Sequence, residues 1–213
     1  MSEILSLNVS LPREVRDGDR TLRTGIFKEP VTGRRVLQRT NLEGDGQADL
    51  ENHGGRSKAA CVYSHDHYAY WERELGLEPL PFGQFGENLS VRGLTEDAVY
   101  IGDIFRVGDA KVEVSQPRVP CFKLGIRMGS PGFPKLFLAS LRTGFYLRVL
   151  EEGELGAGDA LERLEVGPER IAVREACRLL HFDRGDHEAI RRVLSIPALS
   201  PEWRRSFEKL LGL

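Results

Sequence analysis

A cysteine held between prolines and basic residues is the feature of this sequence best suited to chemistry. Cys121 follows Pro117, Arg118 and Pro120 and precedes Lys123. The prolines restrict the backbone, and the positive charges favour the thiolate. A thiolate in a fixed position can bind a soft metal, attack an electrophile or carry sulfur. The alternative is a buried apolar cysteine, but the charged, turn-forming neighbours favour a functional one, and we predict that Cys121 is catalytic.

A glycine-rich stretch is the second candidate. Residues 44–49 read GDGQAD, and His53, Gly54, Gly55 and Lys58 follow closely. Two adjacent glycines let the backbone approach a ligand, and exposed backbone N–H groups beside Lys58 could hold a phosphate. The alternative is a tight turn between strands in which His53 makes a local hydrogen bond. The pattern alone favours that turn, because short glycine motifs often match by chance.

Asn88 lies in the motif GENL, directly before a predicted strand. Its side-chain amide both donates and accepts hydrogen bonds, so it could recognise the edge of a heterocycle. Taken alone, the position is more typical of an Asx turn.

The other two cysteines are most simply explained by packing. Cys61 lies in an apolar predicted strand, and Cys177 lies on the apolar stripe of a predicted helix. Cys61 and His65 have a spacing that zinc ligands can have, but no further Cys or His pair completes a tetrahedral set. We therefore do not expect a zinc site.

Composition excludes several classes of protein. The chain has 213 residues with a formal net charge of -2, which argues against binding a nucleic acid polymer through bulk charge. No apolar run approaches the roughly 20 residues of a membrane span, and the N-terminus lacks the pattern of a signal peptide. Three scattered cysteines do not make a disulfide framework, so we expect a protein of the reducing cytoplasm.

Two regions differ in their hydrophobic periodicity. Residues up to about 166 form short apolar runs separated by Gly, Asp, Pro and Asn, which is typical of a barrel or sandwich. Predicted strands cover residues 4–9, 58–63, 88–91, 104–107, 112–115 and 145–150, and helices cover 64–75 and 133–141. Beyond Pro168 the pattern is helical, with starts at Glu169, Asp186 and Ser200. The predicted domains are residues 1–167 and 168–213.

Taken together, these motifs resemble the MOSC domain, the family named after the C-terminus of molybdenum cofactor sulfurase. The run comprises GDGQAD, NHGG, GEN, IGD, QPR.PC.KL and TGFY.RVLEEG, in that order. The start of the chain and the helical tail resemble the YiiM-like branch. The resemblance implies an α+β, mainly β fold. It consists of a MOSC-type β-barrel with a few helices, followed by a small C-terminal three-helix domain.

The resemblance also implies a function. The expected cofactor is the molybdenum cofactor, with pyridoxal phosphate a possibility at the level of the broad family. The expected activity is reduction of N-hydroxylated compounds, such as N-hydroxylated purine bases. Electrons would come from a separate reductase, because the chain has no flavin, haem or iron–sulfur signature. A homodimer is a further expectation. The expected cofactor-binding residues, each on a family motif, are His53, Lys58, Asn88, Arg118 and Lys123.

The metal ligand that the resemblance implies is Cys121. Related mitochondrial amidoxime reductases place this cysteine on a later loop, whereas the present chain has no cysteine between Cys121 and Cys177. Either Cys121 is the ligand or the metal is held differently. Two alternatives to an enzyme stay open. One is a sulfur carrier, in which a pyridoxal-phosphate-dependent desulfurase supplies a persulfide to Cys121. The other is an interaction protein whose helical tail docks a partner.

Overall fold

The structure is a computed structural model, and it describes residues 2–49, 54–77 and 79–213. Eight strands form the main sheet in the order β12-β8-β9-β10-β6-β7-β1-β4, and two small sheets pair β11 with β5 and β2 with β3. The strands are β1 (Glu3–Val9), β2 (Arg13–Asp17), β3 (Arg20–Thr24), β4 (Glu29–Val31), β5 (Arg35–Leu37), β6 (Ala60–Ser64), β7 (Leu89–Arg92), β8 (Ile104–Val107), β9 (Ala110–Pro117), β10 (Phe145–Glu151), β11 (Gly153–Leu155) and β12 (Leu161–Glu165). The helices are α1 (Tyr68–Leu75), α2 (Phe122–Arg127), α3 (Phe133–Ala139), α4 (Val173–His181), α5 (His187–Leu194) and α6 (Pro201–Leu211).

The main sheet curls without closing into a continuous ladder. Its pairs are antiparallel except β6 with β7, which run parallel. The segment that leads into β12 returns to the start of β1, where Glu3 and Ala160 form an isolated bridge and Ile4 N–H donates to Asp159 O. The mainly β fold with a helical C-terminus is therefore confirmed. The expected barrel is an open curled sheet in which the segment before β12 meets the start of β1 at this bridge.

The two faces of strand β6 pack against different surroundings. Side chains alternate between the faces of a strand, so Ala60 and Val62 point into the aliphatic core, while Cys61 and Tyr63 point to the opposite face. Tyr63 belongs there to an aromatic cluster with Trp71, from α1, and other rings. Cys61 borders a cavity on that same face.

The C-terminal helices pack on the sheet and not only on one another. Trp203 and Phe207 of α6 belong to the same buried apolar cluster as Val112 and Val114 of β9. Ser200 starts α6 as expected, because its Oγ accepts a hydrogen bond from Trp203 N–H at 3.2 Å. The core is thus continuous between the strands and the tail, and the division at residues 167/168 stays a prediction.

Local structure departs from the expectations at three points. Ser64 does not cap α1, because a 3-10 turn at His65–His67 precedes the helix and no side-chain cap bond forms. The first tail helix begins at Val173 instead of Glu169, because Ala172 first pairs with Tyr100 as a bridge. Helix α2 follows Cys121 directly, in a segment where the prolines had indicated only a turn.

A saturated buried carboxylate organises the loop before β7. Glu87 is fully buried. It accepts hydrogen bonds from Gly83 N–H at 3.0 Å, Phe85 N–H at 3.1 Å and Ser90 Oγ at 2.7 Å, and from the Tyr68 hydroxyl. Buried charge is tolerated when its hydrogen-bonding capacity is filled in this way. Glu87 therefore fixes the loop that carries Asn88.

Candidate functional site

A cavity lies on the outer face of the sheet, where Cys61 points away from the core. It encloses ≈ 660 Å³ of space, including its open mouth. Tyr146 of β10 pairs with Cys61 on one side and with Gln116 on the other. Asn88 N–H donates to Cys61 O at 2.8 Å. These four residues form one row across neighbouring strands, and every member except Gln116 lines the cavity.

Arg118 is a buried cation on the cavity wall. The residue is only 5% exposed, and its Nη2 donates to the Phe85 carbonyl at 2.5 Å. Its guanidinium carbon lies 5.6 Å from the centroid of the Phe137 ring. Within the described parts of the chain, Nη1 has no hydrogen-bond partner. A buried charged donor without a partner is costly, so the cavity presents a group suited to an acceptor on a ligand.

Asp45 ties together the segments that surround the cavity. One of its oxygens accepts from Ser10 N–H at 2.8 Å and from Lys28 Nζ at 2.5 Å. The other accepts from Asn88 Nδ2 at 2.9 Å. Asn88 Oδ1 in turn accepts from Cys61 N–H at 3.0 Å. The amide of Asn88 is therefore engaged with the protein. It positions the wall of the cavity. The sequence alone favoured an Asx turn, and the cofactor-binding role that the resemblance implies for Asn88 stays a prediction.

Both predicted lysines reach the cavity, and each lies beside a carboxylate. Lys58 is buried and forms an ion pair with Glu202, which belongs to helix α6. Lys123 Nζ lies 3.7 Å from Asp49 Oδ2. The cavity thus combines Lys28, Lys58, Arg118 and Lys123 with Asp45 and Asp49. Each lysine has a carboxylate partner, so the net positive charge is that of Arg118, and this charge favours an anionic ligand.

Two of the three thiols face the cavity. Cys121 is half-buried, at the end of the loop that carries Arg118, and Cys61 is nearly fully buried in β6. Burial raises the pKa of Cys61 to about 11, although nearby Arg118 opposes that shift. Cys61 is therefore a neutral thiol at pH 7. The sequence had indicated a packing role for Cys61. It is buried as expected, but it borders the cavity and does not belong to the apolar cluster that contains Cys177.

The remaining predicted residue, His53, lies outside the described residues. The two glycines after it line a second cavity, which also contains Lys58. The structure thus brings Lys58, Asn88, Arg118, Cys121 and Lys123 to one cavity from distant parts of the sequence.

Sequence reasoning missed four polar residues near these predicted groups. Lys28 and Asp45 form a buried pair, Tyr146 lies beside Cys61, and Glu202 reaches Lys58 from the tail. Tyr146 is part of the TGFY motif and Asp45 of GDGQAD, so those motifs carried a usable signal. Lys28 and Glu202 stand in no motif, and only the fold brings them to the site.

Comparison with known proteins identifies the family of the chain. The family model described as "MOSC domain" matches residues 49–162, more than half of the chain. The chain belongs to the MOSC family. A second model, "YiiM-like, 3-alpha helix domain", matches residues 171–211, so the MOSC domain is followed by the helical module expected for the YiiM-like branch.

Individual relatives extend over most of this MOSC chain. The uncharacterized protein YflK of Bacillus subtilis is 48% identical over 206 residues, covering 97% of this chain and 93% of that protein. The crystal structure of YiiM from Geobacillus stearothermophilus superposes with a TM-score of 0.85 at 36% identity, covering 99% of this chain and all of that one. A "Reductase" of Gibberella moniliformis is 37% identical over 145 residues, which are 67% of this chain but 26% of that protein.

Two further observations concern metal-binding clusters and membrane-spanning helices. In the described parts of the chain, no three His, Cys, Asp or Glu side chains group together as a metal site would require. A metal that brings most of its own ligands, as in an organic cofactor, needs fewer protein groups and is compatible with one or two thiols. Within the same residues, no helix is long and apolar enough to span a membrane.

Proposed function

We propose that this MOSC protein binds the molybdenum cofactor in the cavity beside Arg118 and reduces N-hydroxylated compounds, such as N-hydroxylated purine bases, to the amines. The balanced reaction consumes two electrons and two protons and releases water. The electrons would come from a separate reductase. The coarser statement, a MOSC protein of reductase type, has support from the family and from the fungal "Reductase" that is 37% identical to this chain over 145 residues.

The observation that carries this proposal is the unsatisfied guanidinium of Arg118. Its Nη1 is buried, charged and without a partner among the described residues, and Arg118 lines the cavity. A phosphate accepts hydrogen bonds from a guanidinium with good geometry. The phosphate of a pterin cofactor fits this donor, and Lys58 and Lys123 add positive charge from other sides of the same cavity.

The thiols fit the metal end of such a cofactor. Molybdenum binds thiolates, and a half-buried cysteine can bind without the full desolvation that Cys61 has undergone. We therefore assign the ligand role to Cys121. When bound, the cofactor supplies the two-electron reduction of the N–O bond. Arg118 and the lysines hold the anionic end, Asp45 and Asn88 keep the wall in place, and the buried row beside Cys61 limits access of water.

Other features of the proposal follow from the sequence and not from the geometry. Location in the cytoplasm, formation of a homodimer and use of pyridoxal phosphate stay predictions. Transport of sulfur on a Cys121 persulfide is the competing function, because a half-buried thiol near cations would also suit it. The experiment below separates these two functions.

The decisive experiment measures metal and turnover together. The protein is produced in a cell that makes the molybdenum cofactor, and molybdenum content and reduction of an N-hydroxylated base are measured with an artificial donor. We expect Cys121→Ser to lower turnover at least 100-fold, because a hydroxyl is a harder and weaker ligand. Pterin should be retained, since other residues hold its phosphate. Cys177→Ser, a change in the core, is the matched control and should stay within a few-fold of wild type.

Two outcomes would overturn the assignment. Full turnover and full metal in Cys121→Ser, with loss of both in Cys61→Ser, would move the ligand to Cys61. A sulfur carrier would contain no molybdenum and would gain one persulfide at Cys121 after incubation with a desulfurase and cysteine. Mass spectrometry of the protein detects that addition directly.

A further inference from the structure

A second cavity lies between the sheet and the C-terminal helices. It is bounded by segment 54–58, by Gln116 of β9, and by the start of α6 with Arg205 one turn further on. It encloses ≈ 800 Å³ of space, including its open mouth. We call it the interdomain cleft. Lys58 lines both the cleft and the main cavity, so a single side chain lies between them.

Gln116 is a buried polar group without a full set of partners in this cleft. The residue is 2% exposed, and its Nε2 makes only a long contact of 3.5 Å with Pro117 O. Within the described residues, its Oε1 has no partner. A buried amide oxygen that accepts no hydrogen bond lowers stability, so this cleft suits a ligand with an N–H or O–H donor. The exocyclic amino or hydroxylamino group of a nucleobase is such a donor, and amides recognise such base edges.

The outer part of the cleft carries positive charge. Arg56, on the 3-10 turn Arg56–Lys58, and Arg205, on α6, both line it and are exposed to solvent. The carboxylate that lines the cleft, Glu202, forms its ion pair with Lys58. The two arginines are thus placed to receive an anion, and guanidinium groups suit phosphate.

We propose that the interdomain cleft binds a phosphorylated nitrogen heterocycle. The base donates to Gln116, and the phosphate lies between Arg56 and Arg205. This rests on the proposed function and makes it more specific, because the preferred substrate becomes a nucleotide instead of the free N-hydroxylated base. Gln116 pairs with Tyr146, which lines the main cavity. Neighbouring strands are about 5 Å apart, so a base held by Gln116 lies one strand away from the cofactor cavity.

The test measures binding without turnover, so that it does not depend on molybdenum. Adenosine monophosphate, adenosine and inorganic phosphate are titrated calorimetrically into the purified protein. We expect the monophosphate to bind at least tenfold more tightly than adenosine. Arg56→Gln and Arg205→Gln should each weaken the monophosphate roughly five- to tenfold and leave adenosine unchanged, as expected for loss of one exposed charge-assisted contact. Gln116→Leu should weaken both ligands. Arg191→Gln, an exposed arginine of α5 away from the cleft, is the control and should change neither.

Three results would overturn the proposal. Equal affinity for adenosine and its monophosphate would remove the phosphate subsite, and equal affinity for inorganic phosphate and the monophosphate would reduce the cleft to an anion site without base recognition. Loss of the monophosphate preference in Arg118→Gln, but not in Arg205→Gln, would place the nucleotide in the main cavity. If the protein contains no molybdenum and shows no turnover but still binds these ligands as expected, the proposed reaction is wrong and the nucleotide site is supported.

Discussion

The buried side chains of Glu87 and Arg118 both bond the backbone of Phe85, but they differ in how completely they are hydrogen-bonded. Glu87 accepts from the Phe85 N–H and from three other donors, while Arg118 donates to the Phe85 carbonyl and keeps its Nη1 without a partner in the described structure. Both side chains are buried. The carboxylate is saturated by its own loop together with the Tyr68 and Ser90 hydroxyls, whereas the guanidinium is satisfied on one side only.

The difference separates a structural charge from one that is poised for a ligand. A fully hydrogen-bonded buried charge specifies a conformation, and removing it leaves several donors unpaired. A partly bonded charge beside a cavity lowers stability until a ligand arrives, and local violations of this kind are expected at functional sites. Changes at Glu87 should therefore affect folding first, and changes around Arg118 should affect ligand binding first.

The largest effect on stability is expected at Glu87. Glu87→Gln replaces one acceptor oxygen by an amide that must face a donor, since Phe85 N–H bonds one oxygen and three donors share the other. We expect the free energy of unfolding to fall by about 3 kcal/mol, measured by urea denaturation. Glu14→Gln, on an exposed strand, should change it by less than about 0.5 kcal/mol. A loss at Glu87 no larger than this control would show that the network does not stabilise the loop.

Cys61 gives the next effect, and it appears only at alkaline pH. Burial raises the pKa of Cys61 from 9.0 to about 11, so between these values the thiol ionises in the unfolded chain and stays protonated in the folded one. Its contribution to stability is complete below pH 9 and is lost as pH rises toward 11. Relative to Cys61→Ala, the wild type should lose on the order of 2 kcal/mol over that interval.

Unfolding curves at a series of pH values test this. Cys177→Ala provides a second comparison. Burial raises the pKa of Cys177 to about 12, so the stability that this thiol gives the wild type should be lost at higher pH than the contribution of Cys61. Parallel pH profiles for the wild type and Cys61→Ala would mean that the thiol ionises equally well in the folded protein.

Which features the sequence could predict depends on whether they are local. Caps and periodicity are local, so the strands around Cys61 and the start of α6 at Ser200 were predicted from a few neighbouring residues. The proline-containing motif QPR.PC.KL located Arg118 and Cys121, because this part of the family signature lies in consecutive residues. The ion pair of Lys58 with Glu202 spans 144 positions, and no short pattern encodes such a distance.

The same reason limits what the sequence says about Asn88 and Gln116. The local sequence of Asn88 favoured an Asx turn, whereas its hydrogen-bond partners Asn8, Asp45 and Cys61 are brought to it by the sheet. Gln116 was not singled out, because a glutamine in a strand carries no signal until the packing shows that its amide oxygen is buried without a partner. Incomplete hydrogen bonding is a property of the folded structure, and it is the property that marks the candidate sites.

At Arg118 itself the expected effect falls on the cofactor. Arg118→Lys keeps the charge, but one ammonium cannot replace a planar fork in which Nη2 bonds the Phe85 carbonyl and Nη1 has no partner among the described residues. We expect retention of the molybdenum cofactor after dialysis to fall about tenfold, with a change in unfolding free energy below about 1 kcal/mol. Arg174→Lys, on an exposed ion pair, is the control. Unchanged retention in Arg118→Lys and also in Arg118→Gln would contradict the assignment of the phosphate to this residue.

The smallest effect should have the opposite sign and arise from the tail. Glu202 neutralises Lys58 from α6, and it is about half exposed, so the pair contributes little to stability. Removing the carboxylate in Glu202→Gln leaves more positive charge at the cavity, and an anionic cofactor should then be retained two- to threefold better, as expected for an exposed charge partly screened by salt. Molybdenum and pterin content after dialysis at low and at high salt measures this, and the gain should shrink at high salt. Glu208→Gln on the same helix is the matched control. Weaker retention in Glu202→Gln would instead mean that Glu202 holds Lys58 in its binding position, so that the tail helps to build the cofactor site and does not merely tune its charge.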